Sequence, residues 1–119
     1  MSLLTFLEKI KKEPEVVSFD DTMAMIEASY VFNETAFING EIRNAAGQNN
    51  GSCKIFAFGH LNHLTESQTL HCFGEYYRQD VLGNPGGDNH QNIRNFIRQG
   101  WQGISFENAA LAKKDNAQA

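Results

Sequence analysis

Apolar positions recur along this chain mostly at helical spacing, with one stretch that breaks the period. Leu3, Leu4, Phe6, Leu7 and Ile10 fall on one face of a helix. Ser2 is placed to cap it, Lys11 and Lys12 suit the negative end of its dipole, and Pro14 stops it. A second helix is predicted from Ser18, with Asp20 and Asp21 in its first turn and Phe19, Met23, Ile26 and Tyr30 as its stripe. In "TAFINGEI" the helical period is lost. Asn39-Gly40 between Phe37-Ile38 and Glu41-Ile42 predicts a type I′ turn, whose two central residues need positive φ, so residues 35–44 read as a hairpin. The polar run "NAAGQNNGS", residues 44–52, reads as a loop.

Three more helices follow. Ser52 is placed to cap the first, which carries Ile55, Phe56, Phe58 and Leu61. Thr65 and Asp88 each precede a glutamine by three residues (Gln68 and Gln91), the spacing of a capping box. Leu70, Phe73, Tyr77 and Val81 form the stripe of the first of these two helices. Ile93, Phe96 and Ile97 form that of the second, and Gly100 ends it. The expected fold is α+β and predominantly helical, with about five helices and one short β-hairpin. Residues 1–112 read as one domain and residues 113–119 as a frayed tail.

Composition narrows the class. A chain of 119 residues has room for one core, and 41% apolar with 20% charged residues describes a globular domain. The formal charge of −4 argues against a general nucleic-acid binder, which needs a basic footprint. No apolar run approaches the roughly 18 residues of a spanning helix, and the first residues lack a signal peptide's pattern. The reading is therefore no membrane partner. Two cysteines, Cys53 and Cys72, imply no disulfide framework and suit a reducing compartment.

The candidate chemistry concentrates in "FGEYYRQDVLGNPGGDNHQNIRNF", residues 73–96. One reading is architectural: Pro85, Gly86 and Gly87 make an elbow, Asp88 caps a helix, and Glu75 pairs with Arg78 along a helix surface. The other is a site. His90, Arg94 and Arg98 stand at i, i+4 and i+8 on one helix, and Arg78 ends the helix before it. A cationic stripe beside a glycine turn and a helix start suits a phosphate or carboxylate. Asp88 competes for that helix start, and Glu75 and Asp80 compete for the arginines.

Three smaller patterns remain. Cys53, in a first helical turn beside Lys54, is a candidate nucleophile with His90 as its base, oriented by Asp88 or Asn92; a Cys-His hydrolase is the alternative function. A small buried cysteine is the competing reading. "NNGSCK" is no phosphate loop, because Gly47 before it and Gly51 within it are too close and Ser52-Cys53 intervene before Lys54. His60 with His63, and His71 with Glu75 around Cys72, have helical spacing for a metal, but Cys-x-x-Cys and His-Glu-x-x-His are absent, so no metal or cofactor is expected. Trp101, between glycines, reads as a lid on the core.

Taken together, "NNGSCKIFAF", "FGEYYRQDVL" and "DNHQNIRNFIRQGWQGISF" resemble the HopJ type III effector family, from about Leu3 to Leu111. The most specific stretch is Phe73–Phe106, with Glu75, Tyr76, Tyr77, Asp80, Asn92 and Trp101 among its motif positions. The resemblance implies candidate functional residues without assigned roles, and neither a reaction nor a cofactor. The family takes its name from proteins that plant-pathogenic bacteria inject into host cells. This chain opens on "MSLLTFLEKI", which reads as a packed helix and not as a flexible, serine-rich export signal. The expectation is a small binding domain of the bacterial cytoplasm, with an unknown protein or a small anion as partner. Delivery through a type III apparatus is the other location the resemblance implies.

Overall fold

In the computed structural model, which describes residues 2–114, five α-helices surround an aromatic core and two small antiparallel sheets close its flank. The helices are α1 (Leu3–Lys12), α2 (Phe19–Ser29), α3 (Asn50–Leu61), α4 (Glu66–His71) and α5 (Gln91–Gln99). The strands are β1 (Tyr30–Phe32), β2 (Phe37–Asn39), β3 (Ile42–Asn44), β4 (Ile104–Phe106) and β5 (Leu111–Lys113). β1 pairs with β5, and the second sheet has the order β3-β2-β4. The expected α+β, mainly helical class is what forms.

Several helix starts follow local rules. Ser2 accepts from the Thr5 amide, and Ser18 with Asp21 and Thr65 with Gln68 make full capping boxes. Pro14 opens a 3-10 turn just past α1, and Gly100 ends α5 with φ of 66°. The core centres on Phe56, whose ring meets Phe96 at 4.9 Å, Phe73 at 5.5 Å and Phe37 at 6.2 Å. Phe58 receives Phe6 and Tyr30 edge-on. Cys53 and Cys72 are buried free thiols.

Other expectations are corrected. The hairpin exists, but its turn is Gly40-Glu41, because Asn39 pairs with Ile42. Gly40 has positive φ and Glu41 does not, which fits the glycine-first type II′ turn and leaves Asn39 in the strand. Neither Ser52 nor Asp88 caps a helix. α3 begins after Asn49 and α5 after His90, both in the left-handed region and neither with a side-chain cap. Leu4 and Ile97 are exposed and not part of the core faces.

The helix expected from Thr65 to Val81 is broken. It runs as α4 to His71, turns at Gly74, and resumes as a π-helix over Tyr76–Val81. Gly74 has φ of +60°, and a Cβ there would lie 2.3 Å from the Phe19 amide nitrogen. The start of α2 presses directly on this backbone, which admits glycine alone. Lys113 and Lys114, expected in the frayed tail 113–119, are held instead: Lys113 pairs with Tyr30, and the Lys114 amide donates to Ser29. Residues 115–119 lie outside the described residues.

Candidate functional site

α3 and α5 both start beside one cleft of about 380 Å³, lined by Phe19, Ile42, Asn49, Gly51, Ser52, Phe73, Tyr76, His90, Gln91, Asn92 and Ile93. The first intrahelical bonds are from the Cys53 amide to Asn49 and from the Arg94 amide to His90. The amides of residues 50–52 and 91–93 precede those bonds and have no acceptor among the described residues. Two positive helix ends therefore border one space.

A stack of rings walls the cleft. Tyr76 lies against His90 at 5.2 Å and 30°, and Phe19 tilts onto Tyr76 at 4.9 Å. His90 Nε2 is 3.0 Å from Asp80 Oδ2. The π-helix sets Tyr76 and Asp80 together against His90. Glu75 turns the other way and accepts from the Phe19 amide at 3.2 Å, anchoring α2. It does not pair with Arg78.

The arginine stripe does not assemble. Arg94 is buried, and its guanidinium is spent on the elbow: it donates to the carbonyls of Asn89 (2.6 Å), Asn84 (2.9 Å) and Pro85 (3.1 Å) and to Asn89 Oδ1 (2.6 Å). Arg78 donates to the carbonyls of Pro14, Val17 and His71 and approaches His71 Nδ1 at 3.2 Å. Because arginine has no lone pair to offer, the imidazole must accept there, so Nε2 carries the His71 proton. Burial and the Arg78 charge both hold the His71 pKa below its ordinary value, against an opposing pull from Glu15. Arg98 is exposed and donates to Asn95 Oδ1 at 3.0 Å. Arg78 clamps the connection between α1 and α2, Arg94 clamps the elbow, Arg98 bonds one turn back on its own helix, and none of the three lines the cleft.

The Cys-His pair is not assembled either. Cys53 is 1% exposed, and its Sγ lies 4.0 Å from the Thr35 carbonyl; His90 is engaged by Asp80 and Tyr76. Burial pushes the Cys53 thiol up to about 11, overriding both the Thr35 hydrogen bond and the Lys54 charge that favour thiolate. Cys72, buried beside Thr22, is pushed up to about 12. Asp88 is exposed and offers only its carbonyl, to the Gln91 side chain at 2.6 Å. No group of three metal-ligating side chains occurs among the described residues.

Asn92 sits at the back of the cleft, and its surroundings carry no local sequence signal. Four asparagines, Asn39, Asn44, Asn92 and Asn95, are buried between the hairpin and α5. Asn92 Oδ1 accepts from Asn39 (3.0 Å) and Asn44 (3.3 Å), and its Nδ2 donates to Asn44 Oδ1 at 2.9 Å. Asn49 extends the chain of bonds to the start of α3, donating to Asn44 at 2.7 Å. Asn95 donates to the Asn39 carbonyl at 2.6 Å. This network fixes the distance between the two helix starts. Of the other motif residues, Tyr77 packs edge-on to His71 at 5.2 Å. Trp101 covers Phe96 edge-on at 5.0 Å while its Nε1 donates to the Leu64 carbonyl at 3.1 Å, so it is the expected lid.

Fold and cleft describe a small α+β domain with a ring-walled pocket at two helix starts. The family model for HopJ type III effector protein matches residues 3–111, and the chain belongs to that family. The crystal structure of the unknown function protein VPA0580 is similar over almost its whole length. It has 54% sequence identity and a TM-score of 0.94, covering 96% of this chain and 95% of the other. A comparison with curated proteins returned no match.

Proposed function

We propose that this domain works by binding, and that the cleft takes a small anion carrying a flat ring. The observation behind the reading is the meeting of two uncapped helix starts on one ring-walled space. The cleft falls within the usual range of small-ligand pockets, roughly 300–1,000 Å³, and mixes an apolar lining with a few polar groups. The magnitudes say why both halves of the ligand matter. A helix start holds an anion by about 0.3–1 kcal/mol when exposed and up to ~2 when partly buried. Ring stacking adds about 0.5–1.5 kcal/mol. Two helix ends alone thus fall near or short of the roughly 4.1 kcal/mol of a millimolar complex.

Amide-resolved NMR titration with inorganic phosphate, phenol and phenyl phosphate tests this. Phenyl phosphate should shift the amides of residues 50–52 and 91–93 at lower concentration than either fragment, and Tyr76→Ala should remove the advantage. Unmoved amides, or equal binding by Tyr76→Ala, would refute the reading.

The family description names type III effectors, and the binding reading serves a delivered and a resident protein alike. We favour residence in the bacterial cytoplasm, because Phe6 and Ile10 of α1 are fully buried and an export signal there would have to leave the core. A translocation reporter fused to residues 1–119 should stay inside a bacterium that carries the secretion apparatus. Its appearance in host cells would overturn that part.

A further inference from the structure

A second cavity, of about 540 Å³, shares no residue with the cleft. α3 supplies Ala57, His60 and Leu61, one helix face by their spacing, and Trp101 stands with them. The remaining wall is Ile104 and the run from Phe106 to Leu111, which belong to β4, the start of β5 and the residues joining them.

The hydrogen-bond phase of both sheets shows what this wall offers. The Glu107 amide donates to Ala36 at 3.0 Å and the Gly40 amide to Gly103 at 2.8 Å. In an antiparallel pair, residues alternate between facing the neighbour strand and facing away. Ile104 and Phe106 therefore turn their backbone groups away from β2. The Ile104 amide is used by the Trp101 carbonyl, which leaves the Ile104 carbonyl and both Phe106 groups without a partner among the described residues. On β5, the bonds from Asn33 to Ala110 and from Lys114 to Ser29 put Leu111 in the same state. Among the described residues neither strand has a second neighbour, and the bare residues Ile104, Phe106 and Leu111 all line the cavity.

We infer that this cavity is a strand-addition site for an extended segment of a partner protein, paired to the bare edge of β4. Unpaired edge groups are a template for another backbone, and side chains at alternate positions supply the selectivity. Leu61, 48% exposed, and Trp101 are the apolar surface for those side chains. The one carboxylate lining the cavity, Glu107, calls for a basic residue at the matching end of the segment. The five residues printed after Lys114, Asp-Asn-Ala-Gln-Ala, carry no large apolar and no basic side chain.

Selection of a random dodecapeptide phage library on the whole protein tests the inference. Enriched peptides should alternate apolar residues and carry Lys or Arg near one end. Synthetic copies should change the fluorescence of Trp101, the sole tryptophan. N-methylation at alternate peptide residues should weaken binding at least tenfold, while methylation at the intervening ones leaves it unchanged. Leu61→Lys, a surface change, should abolish binding with the melting temperature preserved, and Glu107→Lys should remove the preference for a basic end. No enrichment, binding indifferent to N-methylation, or binding indifferent to Leu61→Lys would overturn it. So would a dimer in light scattering that Leu61→Lys disperses, which would assign the edge to a second copy.

Discussion

Replacing Asn92 by leucine keeps the branched shape and the heavy-atom count of the side chain and removes the hub of the buried asparagine network. Three side-chain hydrogen bonds disappear: two accepted from Asn39 and Asn44 and one donated to Asn44. The damage is uneven. Asn39 Nδ2 still reaches the Asn92 backbone carbonyl at 2.8 Å, and Asn44 Oδ1 still receives Asn49. Asn44 Nδ2 is left with only the Phe37 carbonyl at 3.5 Å, the outer limit of a bond. A buried hydrogen bond contributes about 1 kcal/mol net, and an orphaned buried group costs about 1–3. The expected loss is therefore roughly 2–4 kcal/mol by those values, or about 10 °C in Tm for a domain of this size. Urea denaturation with linear extrapolation measures it. The second arm is the double variant with Asn44→Leu, in which the orphaned amide is gone. Its loss should fall short of the sum of the single losses by at least about 1 kcal/mol, since contacting partners couple. A single-variant loss below about 1 kcal/mol, or strict additivity, would show that the network does not carry the junction between the hairpin and α5.

Arg94→Ala should cost about 2–4 kcal/mol, because bonds from a charged donor are worth about 1.5–3 each while the freed elbow carbonyls return to water; Arg94→Lys should recover part of this. If Arg94→Ala leaves the urea midpoint unchanged, the clamp is not structural. His71 is held neutral, so as pH falls below the unfolded value of about 6.5 the unfolded chain takes up a proton that the fold refuses, and stability drops. His71→Asn, which keeps an acceptor for Arg78, should lose this acid segment of the stability–pH curve; an unchanged curve would remove the assignment. Native protein at pH 8 should resist iodoacetamide at both cysteines and react at both in urea, since burial raises Cys53 to about 11 and Cys72 to about 12. Rapid labelling of native Cys53 would restore the nucleophile reading.

What the sequence by itself determined is what depends on near neighbours. Ser2, Ser18 and Thr65 cap helices because a cap needs only its own side chain and an amide three residues on. The apolar stripes located most of the core, since burial follows the helical period. The glycine of "TAFINGEI" announced a hairpin, but the choice between Asn39-Gly40 and Gly40-Glu41 was made elsewhere: Asn39 is held in its strand by Asn92 and Asn95, more than fifty residues away. The three-residue strands β1, β4 and β5 are too short to show a period, and their partners lie some seventy to eighty residues off. The break at Gly74 was set by the backbone of α2 pressing on it, not by its own helix. The arginines are the sharpest case. Their spacing told which helix face each occupies, and a stripe of charge is the same on paper whether it meets an anion or a row of carbonyls. Only the path of the neighbouring segments decided that Arg78 and Arg94 would be spent on backbone oxygens, leaving two bare helix ends and the rings of Phe19, Tyr76 and His90 to form the cleft. Charge reaches through space, and which partner it finds is a property of the fold.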